Sequence, residues 1–258
     1  MAEATDRVVA RHRSSQAAGA GPLRYGQLMD LEATLRTTGA VREFLPEAID
    51  DATLYRLFDV ARFAPSGGNR QGWRVIVVKD PQKRRRLRDL YLMDWYKYLA
   101  LASSGLVPWA PIGDRDAEAA ALAHESAFAD AAAANAPGFA ESLDTAPALV
   151  LVLADLTALA AVDRDLDRYT FAGGASIYPF VWSLLLAARA EGLAGVMTTI
   201  AIRREDDVRQ LFDIPSSCAL AALVALGRPV SAPKRLGRKA VDDFAWVDRF
   251  GGASLRDH

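Results

Sequence analysis

The stretch Ala64–Arg74, A-P-S-G-G-N-R-Q-G-W-R, lies between a segment of helical periodicity and a short β-branched segment, Trp73–Lys79. Pro65 ends the helix because proline has no N–H and disfavours helical geometry in the residue before it. The glycines permit unusual backbone angles, and between them stand side chains that donate and accept hydrogen bonds: Ser66, Asn69 and Gln71. An ordinary turn between a helix and a strand would account for the glycines, but not for the polar side chains between them. The convergence of backbone amides, amide side chains and Trp73 favours a binding site for a planar polar ligand.

The composition is that of a globular chain without a strong charge. Of the 258 residues, 51% are hydrophobic and 24% are charged, and the formal net charge is −1. A chain of this length can bury a substantial core, and its charge gives no reason to expect nucleic acid or an anionic membrane as a partner. The longest apolar run, Ala146 to Ala161, is interrupted by Asp155 and is too short to cross a bilayer. Since no signal-peptide pattern precedes it, we expect a cytoplasmic protein that acts on a small molecule.

Residues that usually carry hydrolytic or metal chemistry are scarce. The one cysteine, Cys218, lies in an apolar segment, and the three histidines are scattered along the chain. No triad or metal-ligand spacing is available, so we predict no metal site and assign no catalytic side chain. Neither G-x-G-x-x-G nor the phosphate loop G-x-x-x-x-G-K-[ST] occurs. A phosphate-bearing ligand would need arginines, for which the candidates are Arg36, Arg42 and Arg238.

Residue patterns divide the chain into a tail, one domain and a closing arm. Residues 1–22 are polar and rich in Ala and Gly, and we expect disorder there; residues 23–258 are predicted to form a single domain. Its helical insertion spans about 90–145, and the arm, 228–258, is apolar enough at Phe244–Phe250 to dock against another surface. Predicted helices are Tyr25–Thr37, one starting at Pro81, Asp116–Asn135, Ser176–Gly192 and Arg203–Phe212. Predicted strands are Trp73–Lys79, Ala148–Ala154, Gly195–Ile200 and Ala219–Leu226.

Four ordered segments resemble the FMN-dependent nitroreductase superfamily, from Leu28 to about Asp248. L-R-T-T-G-A-V-R-E-F resembles the family's N-terminal arginine motif, and A-P-S-G-G-N-R-Q-G-W resembles its signature P-S-x-x-N-x-Q-P-W. The segment from Ala175 to Thr199 resembles its central helix and the following strand. The final G-R-P…R-K-A-V-D-D-F resembles its phosphate-contacting segment. Each piece is short, but four of them in the family's order make a specific match.

The resemblance implies an α+β fold, with a mixed, mainly antiparallel sheet flanked by helices, in an intertwined homodimer. It also implies two FMN sites at the subunit interface. The positions that it assigns to the cofactor are Arg42 at the flavin side; Pro65, Ser66, Gly67, Asn69 and Gln71 in the signature loop; Thr198 and Thr199 near the reactive edge; and Arg238 at the phosphate.

Three positions depart from the family pattern. Thr38 and Gly39 replace one or two arginines, so phosphate affinity must come from Arg36, from the hydroxyls of Thr37 and Thr38, or from Arg238. Gly72 replaces the usual proline and loosens the signature loop. Trp182-Ser183 stand where many relatives have Gln-Asn, which changes the pocket.

Without a nucleophile or a metal, a redox cofactor must supply the reactivity. The resemblance implies hydride transfer from NAD(P)H through FMN to a small aromatic acceptor of the nitro or quinone type. Two alternatives stay open. One is a flavin-binding protein without turnover that sequesters FMN. The other is a different FMN reaction on the same fold, such as dehalogenation, dehydrogenation or flavin breakdown.

Overall fold

Four strands form one sheet in the order β1-β2-β4-β3. They are β1 (Trp73–Val77), β2 (Ala148–Asp155), β3 (Ala194–Thr198) and β4 (Cys218–Gly227). The computed structural model describes residues 30–231, 233 and 235–255. All three pairings in this part of the chain are antiparallel, so the sheet expected to be mixed is purely antiparallel here.

Helices flank the sheet. Those in the described part of the chain are α1 (Leu31–Thr37), α2 (Asp51–Ala61), α3 (Pro81–Ser103), α4 (Arg115–Leu122), α5 (Glu125–Ala134), α6 (Tyr178–Ala190) and α7 (Glu205–Phe212). Among these, none combines the length and the apolar character that crossing a membrane requires.

The central strands are buried on both faces. In β2, Val150 and Val152 pack in the core formed with α2 and α6, whereas Leu149 and Leu151 pack in the core formed with α3 and α7. All four side chains are inaccessible to solvent. A strand covered by helices on both faces needs apolar residues at consecutive positions, which is why A-L-V-L-V-L-A contains no alternation. The result is a three-layer arrangement of helices, sheet and helices.

Local signals set several helix ends. Asp50 caps α2 by accepting a hydrogen bond of 2.6 Å from the N–H of Thr53. Asp80 caps α3 in the same way, and Pro81 occupies its first turn, where the missing N–H costs nothing. Gly192 follows α6 with a φ of +73°, the left-handed geometry that ends many helices.

The prediction of one helix over Asp116–Asn135 is wrong, because the structure has two helices there. α4 and α5 are separated at Ala123 and His124. Alanine favours a helix at every position, but small side chains bury little apolar surface. No residue of α5 is buried, so no continuous apolar stripe holds the two parts in one line.

Three further predicted helices have different bounds. The helix predicted over Ser176–Gly192 is α6, which runs from Tyr178 to Ala190. The one predicted from Arg203 begins at Glu205, after the 3-10 turn Ile200–Arg204. The predicted helix Tyr25–Thr37 overlaps α1, Leu31–Thr37, and its first residues lie outside the part of the chain that the structure describes. The tail 1–22 lies outside the described residues.

The segment after β4 adds no further strand to the sheet in the described part of the chain. Within it, the rings of Trp246 and Phe250 pack with their centroids 4.6 Å apart. Phe244 and Phe250 are 58% and 90% exposed. Clustered apolar exposure suits a surface that another chain covers, and docking of this arm on a partner stays a prediction.

Candidate functional site

The loop between α2 and β1 has left-handed backbone geometry at three positions. The φ angles are +60° at Gly68 and +52° at both Asn69 and Gln71. This region is open to glycine but costs other residues about 1–2 kcal/mol each. Gly67 lies outside it, and a Cβ there would meet Ser176 Oγ at an ordinary 3.5 Å. Gly68, rather than Gly67, is therefore the glycine that the turn requires.

Hydrogen bonds hold this strained loop from two sides. Ser66 Oγ accepts a bond of 3.0 Å from the N–H of Gln71, and the carbonyl of Ser66 accepts one of 2.9 Å from the N–H of Asn69. The N–H of Gly67 donates to Ser176 Oγ at 3.0 Å. Ser176 is buried just before α6, so this anchor comes from a distant part of the chain. Strain that several contacts maintain is typical of binding and catalytic loops.

The two amide side chains of the loop are exposed and pair with each other. Gln71 Nε2 donates to Asn69 Oδ1 at 3.2 Å. Within the described residues, this leaves the Asn69 amino group and the Gln71 side-chain carbonyl available to a ligand. Trp73 behaves differently from the sequence interpretation, because its ring stacks on Phe180 at 5.1 Å and 12°. One face of that ring therefore packs on the core.

A second group of candidate residues lies at β3. The N–H of Val41 donates to the carbonyl of Gly195 at 3.0 Å, which places Arg42 beside this strand. Thr198 ends β3, and its Oγ1 lies 3.1 Å from the hydroxyl of Tyr91 on α3. Burial raises the pKa of Tyr91, while its bond to Thr198 and the charge of Arg42 oppose that rise. No local pattern in the sequence links Tyr91 to Thr198, which lies 107 positions further along the chain.

The side chains predicted to contact a phosphate differ in whether their hydrogen-bond donors are already used within the chain. Arg36 forms an ion pair of 2.8 Å with Glu32 on an exposed surface of α1. Thr38 is buried, and its hydroxyl donates to the carbonyl of Thr34 at 2.8 Å, so it has no hydrogen left for an anion. Arg238 is exposed, and its guanidinium donates to the carbonyl of the preceding residue at 2.7 Å.

A buried carboxylate holds the turn that follows Thr199. Asp94 on α3 is 2% exposed and accepts hydrogen bonds from Arg203 at 3.1 Å and from Arg204 at 2.6 Å. Burial alone would raise the pKa of Asp94, but these bonds and the charge of Lys97 hold it below its ordinary value. The guanidinium of Arg203 also lies 4.2 Å from the ring centre of Trp109, in the predicted insertion. Sequence reasoning did not identify this cluster.

The candidate residues form two groups at opposite edges of the sheet. The loop Pro65–Gln71 leads into the edge strand β1, whereas Arg42, Thr198 and Thr199 lie at the other edge strand, β3. Neighbouring strands are about 4.8 Å apart, so three spacings separate the two edges by about 14 Å. Within one chain, the two central strands β2 and β4 lie between the two groups.

Solved structures define the class of this fold. A BluB-like flavoprotein from Clostridium difficile 630 superimposes with a TM-score of 0.60 at 18% identity, covering 84% of this chain and 98% of that one. Oxidized iodotyrosine deiodinase, bound to FMN and 3-iodo-L-tyrosine, gives a TM-score of 0.56 at 22% identity, covering 82% and 96%. The chain therefore has a nitroreductase-like α+β fold.

Sequence comparison identifies the family. The model of the nitroreductase family matches residues 35–228, and the chain belongs to this family. It is 29% identical over 202 residues to an NADH dehydrogenase of Thermus thermophilus, covering 78% of this chain and 88% of the relative. It is 26% identical over 236 residues to a 5,6-dimethylbenzimidazole synthase of Rhodospirillum rubrum, covering 83% and 94%. The resemblance to this family is thus confirmed over residues 35–228, which include the first three of the four segments.

Proposed function

We propose that this protein is a cytoplasmic FMN-dependent oxidoreductase that uses NAD(P)H to reduce a small aromatic acceptor of the nitro or quinone type. The observation that carries the proposal is the strained loop at Gly68–Gln71, held by Ser66 and Ser176. Membership of the nitroreductase family and the similarity to an NADH dehydrogenase support an oxidoreductase.

The residues present fit a flavin. The loop combines free amide groups with a backbone that two anchors hold in place. The second group adds Arg42, whose charge acts on Tyr91, and Thr198, whose hydroxyl pairs with that of Tyr91. FMN, when bound, would supply the capacity to accept a hydride from NAD(P)H and deliver it to the acceptor. The protein itself would bind and orient the ring.

The roles proposed for the site residues follow their chemistry. Ser66 and Asn69 hold the polar edge of the isoalloxazine ring, and the missing side chain of Gly67 lets the backbone approach it. Arg42 provides a cation at the flavin side, where it favours negative charge. The turn at Thr198 and Thr199 borders the reacting edge and is supported from behind by Asp94. We assign no catalytic acid or base.

A second copy of the chain is part of this proposal. The loop before β1 and the residues at β3 lie at opposite edges of the sheet, and a homodimer would bring the loop of one subunit to the β3 residues of the other. Large apolar side chains are exposed on and just after α2, on the loop after β2 and on the arm: Tyr55, Phe63, Phe171, Phe244 and Phe250. A homodimer would cover such side chains and complete two sites.

The visible spectrum of the purified protein, followed by turnover assays, tests the proposal. We expect a flavin absorption band near one FMN per chain, and oxidation of NADH or NADPH that depends on added quinone or nitroaromatic compound. Bound flavin without such oxidation would favour the sequestering alternative. Bound flavin with turnover only on a halogenated aromatic would favour another FMN reaction, as in the deiodinase of similar fold. A folded dimer that binds no flavin would refute the proposal.

A further inference from the structure

A buried carboxylate joins the two halves of the loop between β2 and α6, residues 156–177. Asp163 lies in the first half and is 4% exposed. Its Oδ2 accepts hydrogen bonds from the N–H of Phe171 at 2.7 Å and from the guanidinium of Arg168 at 3.0 Å. Both carboxylate oxygens also lie 3.2 Å from the backbone nitrogen of Ala172, which donates to them. Hydrogen bonds to the ionised form, first of all the one from Phe171, lower the pKa of Asp163, so the carboxylate stays charged although it is buried.

The backbone groups that Asp163 binds begin the turn that carries Ser176. This 3-10 turn, Ala172–Ser176, leads into α6. Its first bond is made at once, because the N–H of Gly174 donates to the carbonyl of Phe171 at 3.1 Å. The position of Ser176 therefore depends on where Asp163 holds the start of the turn.

The β2–α6 loop contacts the loop before β1 at two places. At its second end, Ser176 Oγ accepts the hydrogen bond of 3.0 Å from the N–H of Gly67. At its first end, the N–H of Asp155 donates to the carbonyl of Gly72 at 2.7 Å, and a Cβ on Gly72 would lie 3.4 Å from Leu159 Cδ2. Glycine at position 72 thus leaves room for a close approach. The strained loop before β1 is held between the two ends of the β2–α6 loop.

We propose that Asp163 is a positioning residue for flavin binding, which acts through Ser176 on the backbone of Gly67. This inference rests on the proposed function, in which Gly67 lies against the isoalloxazine ring. Asp163 itself is buried, and its oxygens face donors of its own loop. A carboxylate suits this role because both of its oxygens accept hydrogen bonds, whereas an asparagine would turn an amino group toward one of the same donors.

A double-mutant cycle on flavin affinity tests this path. The apo form of each variant is titrated with FMN, and flavin fluorescence is followed. Ser176→Ala removes the acceptor for the N–H of Gly67 and should weaken FMN binding about two- to ten-fold. Asp163→Asn should weaken it at least as much. The double variant should bind no more weakly than Asp163→Asn alone, because both changes remove the same support. Asp165→Asn, which changes an exposed carboxylate of the same loop, should leave FMN binding unchanged.

The visible spectrum of the bound flavin separates positioning from stability. At saturating FMN, the absorption band should shift in the same direction in Asp163→Asn and in Ser176→Ala, because the contact between the ring and Gly67 changes in both. A loss of stability alone lowers the melting temperature of the apo form and leaves the band in place. An unshifted band would therefore overturn the inference.

The outcomes for this inference and for the proposed function are distinguishable. If wild type binds no FMN, the proposed function fails and this inference fails with it. If wild type binds FMN and Asp163→Asn binds it equally well, only this inference fails. If the losses of the two single variants multiply in the double variant, Asp163 does not act through Ser176 and the inference is wrong. If Asp163→Asn does not fold, Asp163→Glu takes its place in the cycle; if neither folds, Asp163 is a structural residue and the inference is wrong as well.

Discussion

Replacing the two adjacent glycines of the loop separately distinguishes a flavin contact from an ordinary turn. Gly68→Ala places a Cβ on a residue with φ of +60°, 3.1 Å from the exposed and movable Nη1 of Arg70. The left-handed geometry should lower the free energy of unfolding by about 1–2 kcal/mol and the melting temperature by about 2–8 °C. Gly67→Ala meets Ser176 Oγ at 3.5 Å and Ala160 Cβ at 3.6 Å, which are ordinary contacts. Its effect on the stability of the apo protein should stay within about 1 kcal/mol.

For flavin binding we expect the reverse order: Gly67→Ala should have the larger effect and Gly68→Ala the smaller one. If the backbone at Gly67 lies against the isoalloxazine ring, the added methyl group intrudes on the ligand, and Gly67→Ala should lose most of its flavin. The assay measures flavin released per folded chain, together with the melting temperature of the apo form. Full flavin content in Gly67→Ala would refute the reasoning and leave the loop as a turn.

Three further predictions concern other parts of the molecule. Asp94→Asn removes the charge that Arg203 and Arg204 bind and should cost about 1.5–3 kcal/mol, measured as a lower urea midpoint. Because folding lowers the pKa of Asp94 from its ordinary 3.8, its stabilising effect is present above that value and is lost as the pH falls below it. Wild type should therefore lose more stability in acid than Asp94→Asn, and equal losses would count against this assignment. Tyr91→Phe removes the bond to Thr198 and should cost about 0.5–1.5 kcal/mol, whereas Tyr98→Phe, whose hydroxyl makes no hydrogen bond among the described residues, should be nearly neutral. Light scattering should give the mass of a dimer, and a folded monomer at micromolar concentration would contradict the composite site.

Local patterns predicted much of the architecture. The apolar runs at Ala148–Ala154 and Ala219–Leu226 indicated buried strands, because only a strand covered on both faces lacks polar positions. The Asp80-Pro81 pair indicated a helix start, since its cap and its first turn depend on adjacent residues. Where the pattern was weak, in the alanine-rich segment Asp116–Asn135, the number of helices was wrong.

The sequence by itself determined the family, the four strands and the loop that most resembles a binding site, because these depend on neighbouring residues and on ordered motifs. Only the tertiary structure decided that Trp73 packs into the core, that Gly68 is the strained glycine, and that the candidate residues divide between two edges. It also placed the hydroxyls of Tyr91 and Thr198 together across 107 positions of the chain. Such contacts depend on how the sheet orders its strands and how helices cover it, and no spacing along the chain encodes that order.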